Sequence, residues 1–171
     1  WLFGALGLLL NMLVMMLLFR NKAGVAIPMA LVGLTIIWTF GLIGFVGIPV
    51  NIVHVILPLM LISVGISDAV HILGEYQTEF KELQDRNKAI IHTMGQVGLA
   101  CLLTTITTAI GMLSLSLAPI PPIRSLGLFA AIGVTAAFVI TMLLVPAALS
   151  YTGLPERKKK APTLPRLDFW T

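Results

Sequence analysis

Charge is what this sequence has least of. Asp, Glu, Lys and Arg make up only 11% of it, against roughly 25% in ordinary soluble domains. Apolar residues reach 58%, where about 45–50% is usual. The few charges are segregated, which leaves four stretches of eighteen or more residues with none at all. Cysteine is nearly missing too. Cys101 stands alone within an apolar run, which excludes a disulfide framework and a Cys/His metal cluster. There is no G-x-x-x-x-G-K-[ST] phosphate loop, so ATP-driven pumping by this segment is not expected. Neither H-E-x-x-H nor G-x-S-x-G occurs, so a zinc protease and an elbow-type serine hydrolase are not signalled either. No enzyme, cofactor or metal site is expected. The net charge of +4 does not point to nucleic acid, because the basic residues sit in short segments between apolar runs. The chain opens on Trp1, with no Met and no basic leader, and is expected to be an excerpt of a longer protein.

What is present is length of apolar chain. A helix needs about twenty such residues to cross a bilayer, and the runs predict an all-α, polytopic membrane protein with five spans at 2–19, 23–46, 52–73, 97–118 and 126–149. Proline removes a backbone hydrogen bond, so Pro58 is expected to kink the third span. Residues 75–93 have a different character. Tyr76, Phe80, Leu83 and Ile90 or Ile91 recur at near-helical spacing among charged residues, which predicts an amphipathic helix lying along the membrane surface. Residues 153–171 form a basic, proline-bearing tail or linker.

Orientation follows from the basic residues. If the five spans alternate, ten of the eleven Lys and Arg fall on one side and only Arg124 on the other. By the positive-inside rule that side is cytoplasmic, together with the surface helix and the tail.

The third span carries the candidate chemistry. An ionisable side chain in hydrocarbon costs several kcal/mol on most scales and is rarely left there without a use. Asp68 and His71, three residues apart, share one helix face, and Ser63 and Ser67 lead to His71 in steps of four. A polar stripe of this kind faces other helices or a wet cavity. Asp68 is therefore either a proton relay or a hydrogen-bonded carboxylate that pins neighbouring helices. His71 either passes the proton onward or is a wetted interfacial histidine. His54 and His92, near span ends, are expected to be interfacial. The run Thr104-Thr105-Ile106-Thr107-Thr108 places hydroxyls on one turn of the next span. They read either as bonds across helices, worth about 0.6 kcal/mol each, or as a wall that faces Asp68 and holds water for it. Ser67, Thr104, Thr105 and Thr108 thus join Asp68 and His71 as relay candidates. Gly65, Ser63 and Gly111 are candidates for close helix packing. The run with Met12, Met15 and Met16 suits lipid-facing packing better than copper binding.

Three motifs in order carry a resemblance: V-G-I-S-D-A-V-H-I-L at 64–73, T-T-I-T-T-A-I-G-M-L-S-L at 104–115 and P-I-P-P-I-R-S-L-G at 119–127. Together they resemble the resistance–nodulation–division superfamily, nearest its MMPL-type and Patched-like bacterial exporters. The resemblance implies one half of a twelve-helix transporter, from its second helix to its sixth, in the cell inner membrane. It implies a proton-driven exporter of hydrophobic or lipid-like molecules. Its partners would be that substrate, membrane lipids, the second transmembrane half and, in an oligomer, further copies. The family pattern in this span is often Gly-x-x-x-Asp-Asp or Gly-x-x-x-Asp-Tyr, with the first Asp as proton carrier. Here Ser63 and Ser67 occupy the Gly and first-Asp positions, which leaves Asp68 as the acid. A sterol-sensing-like lipid-binding regulatory module and an accessory protein-export subunit resembling SecD and SecF are the alternatives.

Overall fold

The structure, a computed structural model, describes residues 22–152. Four helices follow one another: α1 (Lys22–Val46), α2 (Ile56–Leu83), α3 (Arg86–Ser114) and α4 (Pro121–Thr152). There is no strand among the described residues. Each helix is long and apolar enough to cross a membrane, and the chain is a multi-pass, all-α membrane protein. The predicted spans at 23–46, 52–73, 97–118 and 126–149 fall on α1 to α4 in order. The predicted span at 2–19 and the tail at 153–171 lie outside the described residues.

The helices run alternately up and down, so Lys22, Lys81, Arg86 and Lys88 belong to one end of the bundle and Arg124 to the other. At the second end, α1 stops where Gly47 takes a left-handed φ of +74°. The Ile48 N–H then donates to Ile43 O at 3.3 Å and the Gly47 N–H to Gly44 O at 3.1 Å. These two bonds close the last turn in a Schellman motif, which glycine makes easy because it has no Cβ to clash. A 3-10 turn, Ile52–Val55, leads into α2. Pro58 does not sit mid-helix as expected but in the first turn of α2. An N–H there has no intrahelical acceptor anyway, so the helix loses little.

His54 corrects a second expectation. It is fully buried rather than interfacial, because the start of α4 covers it. Its Nδ1 accepts the Asn51 N–H at 3.1 Å, which assigns the ring proton to Nε2. That nitrogen lies 3.2 Å from Ser125 Oγ, whose own proton goes to Pro122 O at 3.0 Å. The neutral ring is thus satisfied at both nitrogens, and it fastens the α1–α2 connection to α4.

The basic end brings the third correction. Residues 75–93 do not form a separate surface helix. Residues 75–83 continue α2 and 86–93 begin α3, with a turn of two residues, Gln84 and Asp85, between them. Gln84 takes a left-handed φ of 53°, and Asp85 caps α3 by accepting the Asn87 and Lys88 N–H groups at 3.0 and 3.3 Å. Most of the apolar stripe that suggested a membrane surface is instead covered by other helices, Leu83 alone of Tyr76, Phe80, Leu83 and Ile90 being exposed. Tyr76 and Ile90 are buried with Leu31, Leu73 and Leu149, and Phe80 stacks on Tyr76 at 5.8 Å between ring centres. The Arg86 guanidinium donates to Ser150 O near the end of α4 at 3.0 Å. At 1.5 Å per residue, α2 is about 42 Å long, while the hydrocarbon layer is about 30 Å. The last turns of α2 and the first of α3 therefore stand out of the membrane as a helical hairpin.

The bundle closes around small residues. A Cβ on Gly65 would lie 3.2 Å from Val32 Cγ2, so this glycine brings α1 onto α2. Ser63 and Gly111 do not act in that way: Ser63 is exposed and Gly111 has open space around it. The tightest approach is at Gly127 of α4, where a Cβ would meet Met112 O and Leu115 Cβ at 2.6 Å. A backbone oxygen cannot swing aside as a flexible side chain can. Gly127→Ala is therefore expected to destabilise the protein by about 1–3 kcal/mol, the usual cost of overpacking a filled site. Thermal unfolding of the purified variant in detergent checks this, and an unchanged melting temperature would count against the close approach.

Candidate functional site

A cleft with a volume of about 570 Å³ lies between α2 and α3. From α2 it takes Ser63, Ser67, Asp68, His71 and Glu75, which recur every three to four residues and so share one face. From α3 it takes Gln96, Cys101, Thr104, Thr105 and Thr108, which recur at helical spacing as well. All six relay candidates line this one cleft. So does Ser63, whereas Gly65 and Gly111 do not.

Asp68 sits at the floor. It is only 7% exposed, while Ser63, Ser67 and His71 are open. The Cys101 thiol of α3 and the His71 ring of α2 line the same cleft beside it. Oδ2 is buried and has no hydrogen-bond partner among the described residues. An unmet acceptor in such a place costs about 1–3 kcal/mol, and more if it is charged. A proton on that oxygen, or a water donating to it, relieves the cost.

The threonine hydroxyls make no bond across helices. Thr104 and Thr105 donate to Cys101 O at 2.9 and 2.7 Å, and Thr108 donates to Thr104 O at 2.7 Å. Each proton is committed to its own helix, but each oxygen keeps lone pairs that can accept. The wall opposite Asp68 is thus a row of acceptors, which suits water or a protonated carboxyl group. Thr107 also bonds within its helix, to Thr104 O at 2.9 Å and Leu103 O at 3.1 Å.

Three further side chains of the lining that can hydrogen-bond, Glu75, Gln96 and Cys101, are not among the residues singled out from the sequence. Glu75 was legible, since it follows His71 by four on the same helix. Cys101 carried no such signal, because a thiol in an apolar run looks like any small core residue.

The MMPL family model matches residues 2–170, nearly the whole chain. The chain belongs to the MMPL family. It is 29% identical over 143 residues to a putative membrane protein of Methanocaldococcus jannaschii, which covers 84% of this chain and 37% of that protein. It is 29% identical over 160 residues to the membrane protein YdfJ of Bacillus subtilis, covering 90% of this chain and 22% of the relative. With Protein patched homolog 2 of Homo sapiens it shares 32% identity over 121 residues, which is 70% of this chain and 10% of the relative. The chain thus spans little more than a third of the first of these relatives and less of the others. No solved structure matches it.

Access of water to the cleft can be measured. In a Cys101→Ala background, Ser67→Cys is expected to react with a water-soluble maleimide. Ala69→Cys, buried on the opposite side of α2, is expected not to react. Equal labelling of the two thiols, or none at position 67, would contradict a water-filled cleft.

Proposed function

We propose that the protein is part of a proton-coupled exporter of hydrophobic or lipid-like molecules, in which Asp68 binds and releases the proton. The observation that carries this reading is the buried, unpartnered carboxyl oxygen opening on a hydroxyl-lined cleft. Ionisable residues inside a membrane that face a cavity mark proton relays and substrate paths by default. The basic end of the bundle is then cytoplasmic by the positive-inside rule, and the membrane is the cell inner membrane. In this reading His71, Ser67, Thr104, Thr105 and Thr108 support the proton on Asp68. The second transmembrane half covers the cleft from the exposed side of α3.

A second reading, a sterol-sensing-like lipid-binding regulatory module, draws on another feature. A groove of about 560 Å³ between α1, α3 and α4 is lined almost wholly by apolar side chains, Leu34, Trp38, Leu113 and Val139 among them. That surface suits an acyl chain or a ring system and involves no ionisable group.

One experiment separates the two. Asp68→Asn keeps the shape of the side chain and removes its proton chemistry. In cells producing the complete protein, it is expected to lower gradient-driven efflux of a lipophilic dye on the order of a hundredfold, the scale of a positioned proton-transfer group. Undiminished, gradient-dependent efflux would remove Asp68 from the mechanism. Lipid binding that persists with no dependence on the gradient in either protein would favour the regulatory module.

A further inference from the structure

Beyond the cleft, at the basic end, lies a second polar cluster that the relay candidates do not include. Glu79 of α2 is 8% exposed. Its Oε2 lies 3.0 Å from His92 Nδ1 on α3, and its Oε1 accepts from Gln96 Nε2 at 3.1 Å. The same Gln96 nitrogen is 3.1 Å from His92 Nδ1. That ring nitrogen therefore stands within hydrogen-bond distance of a carboxylate and of an amide donor. Protonated, it donates to Glu79; neutral, it accepts from Gln96. Both states are satisfied without moving the backbone, as a group that takes up and passes on protons requires.

The cluster is not isolated from the cleft. Gln96, which bonds Glu79, also lines the cleft beside Glu75. Along α2, Asp68, His71, Glu75 and Glu79 follow at spacings of three, four and four, so they form one stripe rising about 16 Å from the floor of the cleft. Beside the top of the stripe the His92 side chain is 59% exposed while that of Glu79 is 10% exposed; below it Glu75 is half-buried, His71 opens on the cleft and Asp68 is buried. The neighbouring charges are committed elsewhere. Arg86 is held by Ser150 O, and Lys88 by Asp85. Lys81 and Glu82 of α2 are exposed. Between Val25 and Val46, α1 has no ionisable residue, and those of α4, Arg124 and Tyr151, lie near its two ends.

We infer that Glu79, His92 and Gln96 form the proton port of the cleft, which passes protons between the basic-side solution and Asp68 through Glu75 and His71. His92 exchanges the proton with solvent, Glu79 receives it at the buried side, and water in the cleft carries it down the stripe. The bookkeeping is a single proton moving between acid–base pairs, with no other bond made or broken. The inference rests on the reading of Asp68 as a titrating carboxyl group, and its test separates the two.

The complete protein is reconstituted in liposomes and exposed to a pH jump on the basic side. The carboxyl C=O stretch of Asp68 is followed by time-resolved infrared absorption and assigned by its loss in Asp68→Asn. His92→Ala leaves the Glu79–Gln96 bond in place. It is expected to slow protonation of Asp68 on the order of a hundredfold without changing the final amplitude, and imidazole in solution is expected to restore the rate. Glu79→Gln is expected to slow it as well, beyond rescue by imidazole, while Glu82→Gln leaves it unchanged. An unaltered rate in His92→Ala and Glu79→Gln would overturn the port and leave Asp68 as proton carrier. A slowed rate that imidazole fails to restore in His92→Ala would reduce the cluster to a structural tie. If no Asp68 band responds to the jump in the unsubstituted protein, the reading of Asp68 and the port fall together.

Discussion

Hydrocarbon offers nothing to a carboxyl group, and most of the polar arrangement of this bundle follows from where it keeps one. Asp68 has a thiol for company, a row of threonine oxygens opposite and a cleft that opens on it. Elsewhere the helices solve the same difficulty locally. Buried Thr35 and Thr39 return their protons to carbonyls of their own helix at 2.8 Å. They add polarity to the core without demanding a partner. The unpartnered oxygen of Asp68 is the contrast: with the Thr93 hydroxyl it is one of two buried side-chain polar atoms left incomplete among the described residues, while the threonine hydroxyls of the cleft are provided for.

The two ends of the bundle are fastened differently. At the Arg124 end the ties are dry and interlocked, through His54, Ser125 and the close contact of Gly127 with the end of α3. At the basic end the ties are polar, and they carry ionisable groups: Arg86 on Ser150, and Glu79 with His92 and Gln96. Burial of Tyr76, Ile90 and Leu149 beneath them keeps these groups in place beyond the hydrocarbon layer.

The spans were legible because their signal is collective. Twenty residues without a charge leave little choice, and α1 to α4 follow. The ends of the helices were not, because hydropathy falls silent where a helix leaves the membrane but goes on. Tyr76, Phe80 and Ile90 announced a covered face. Their spacing could not say whether lipid headgroups or Leu31 and Leu149 would cover it. Gln84 gave no warning of a left-handed turn, a position where glycine or asparagine would have done so. His54 depends on Ser125, 71 positions away, and no local pattern reports such a pairing. The polar cleft was readable helix by helix, since Ser63, Ser67 and His71 on one side and Thr104 and Thr108 on the other each repeat at four. What remained hidden was the thiol of Cys101 between them.

The turn at Gln84 and Asp85 has a mechanical meaning. Two residues reach at most about 7 Å when fully stretched, so α2 and α3 cannot travel past each other like a piston in a sleeve. Tilting and rolling are the motions left to this pair. Asp68 and the threonine row must then stay level with one another through any cycle the protein performs, and only the width of the gap between them can vary.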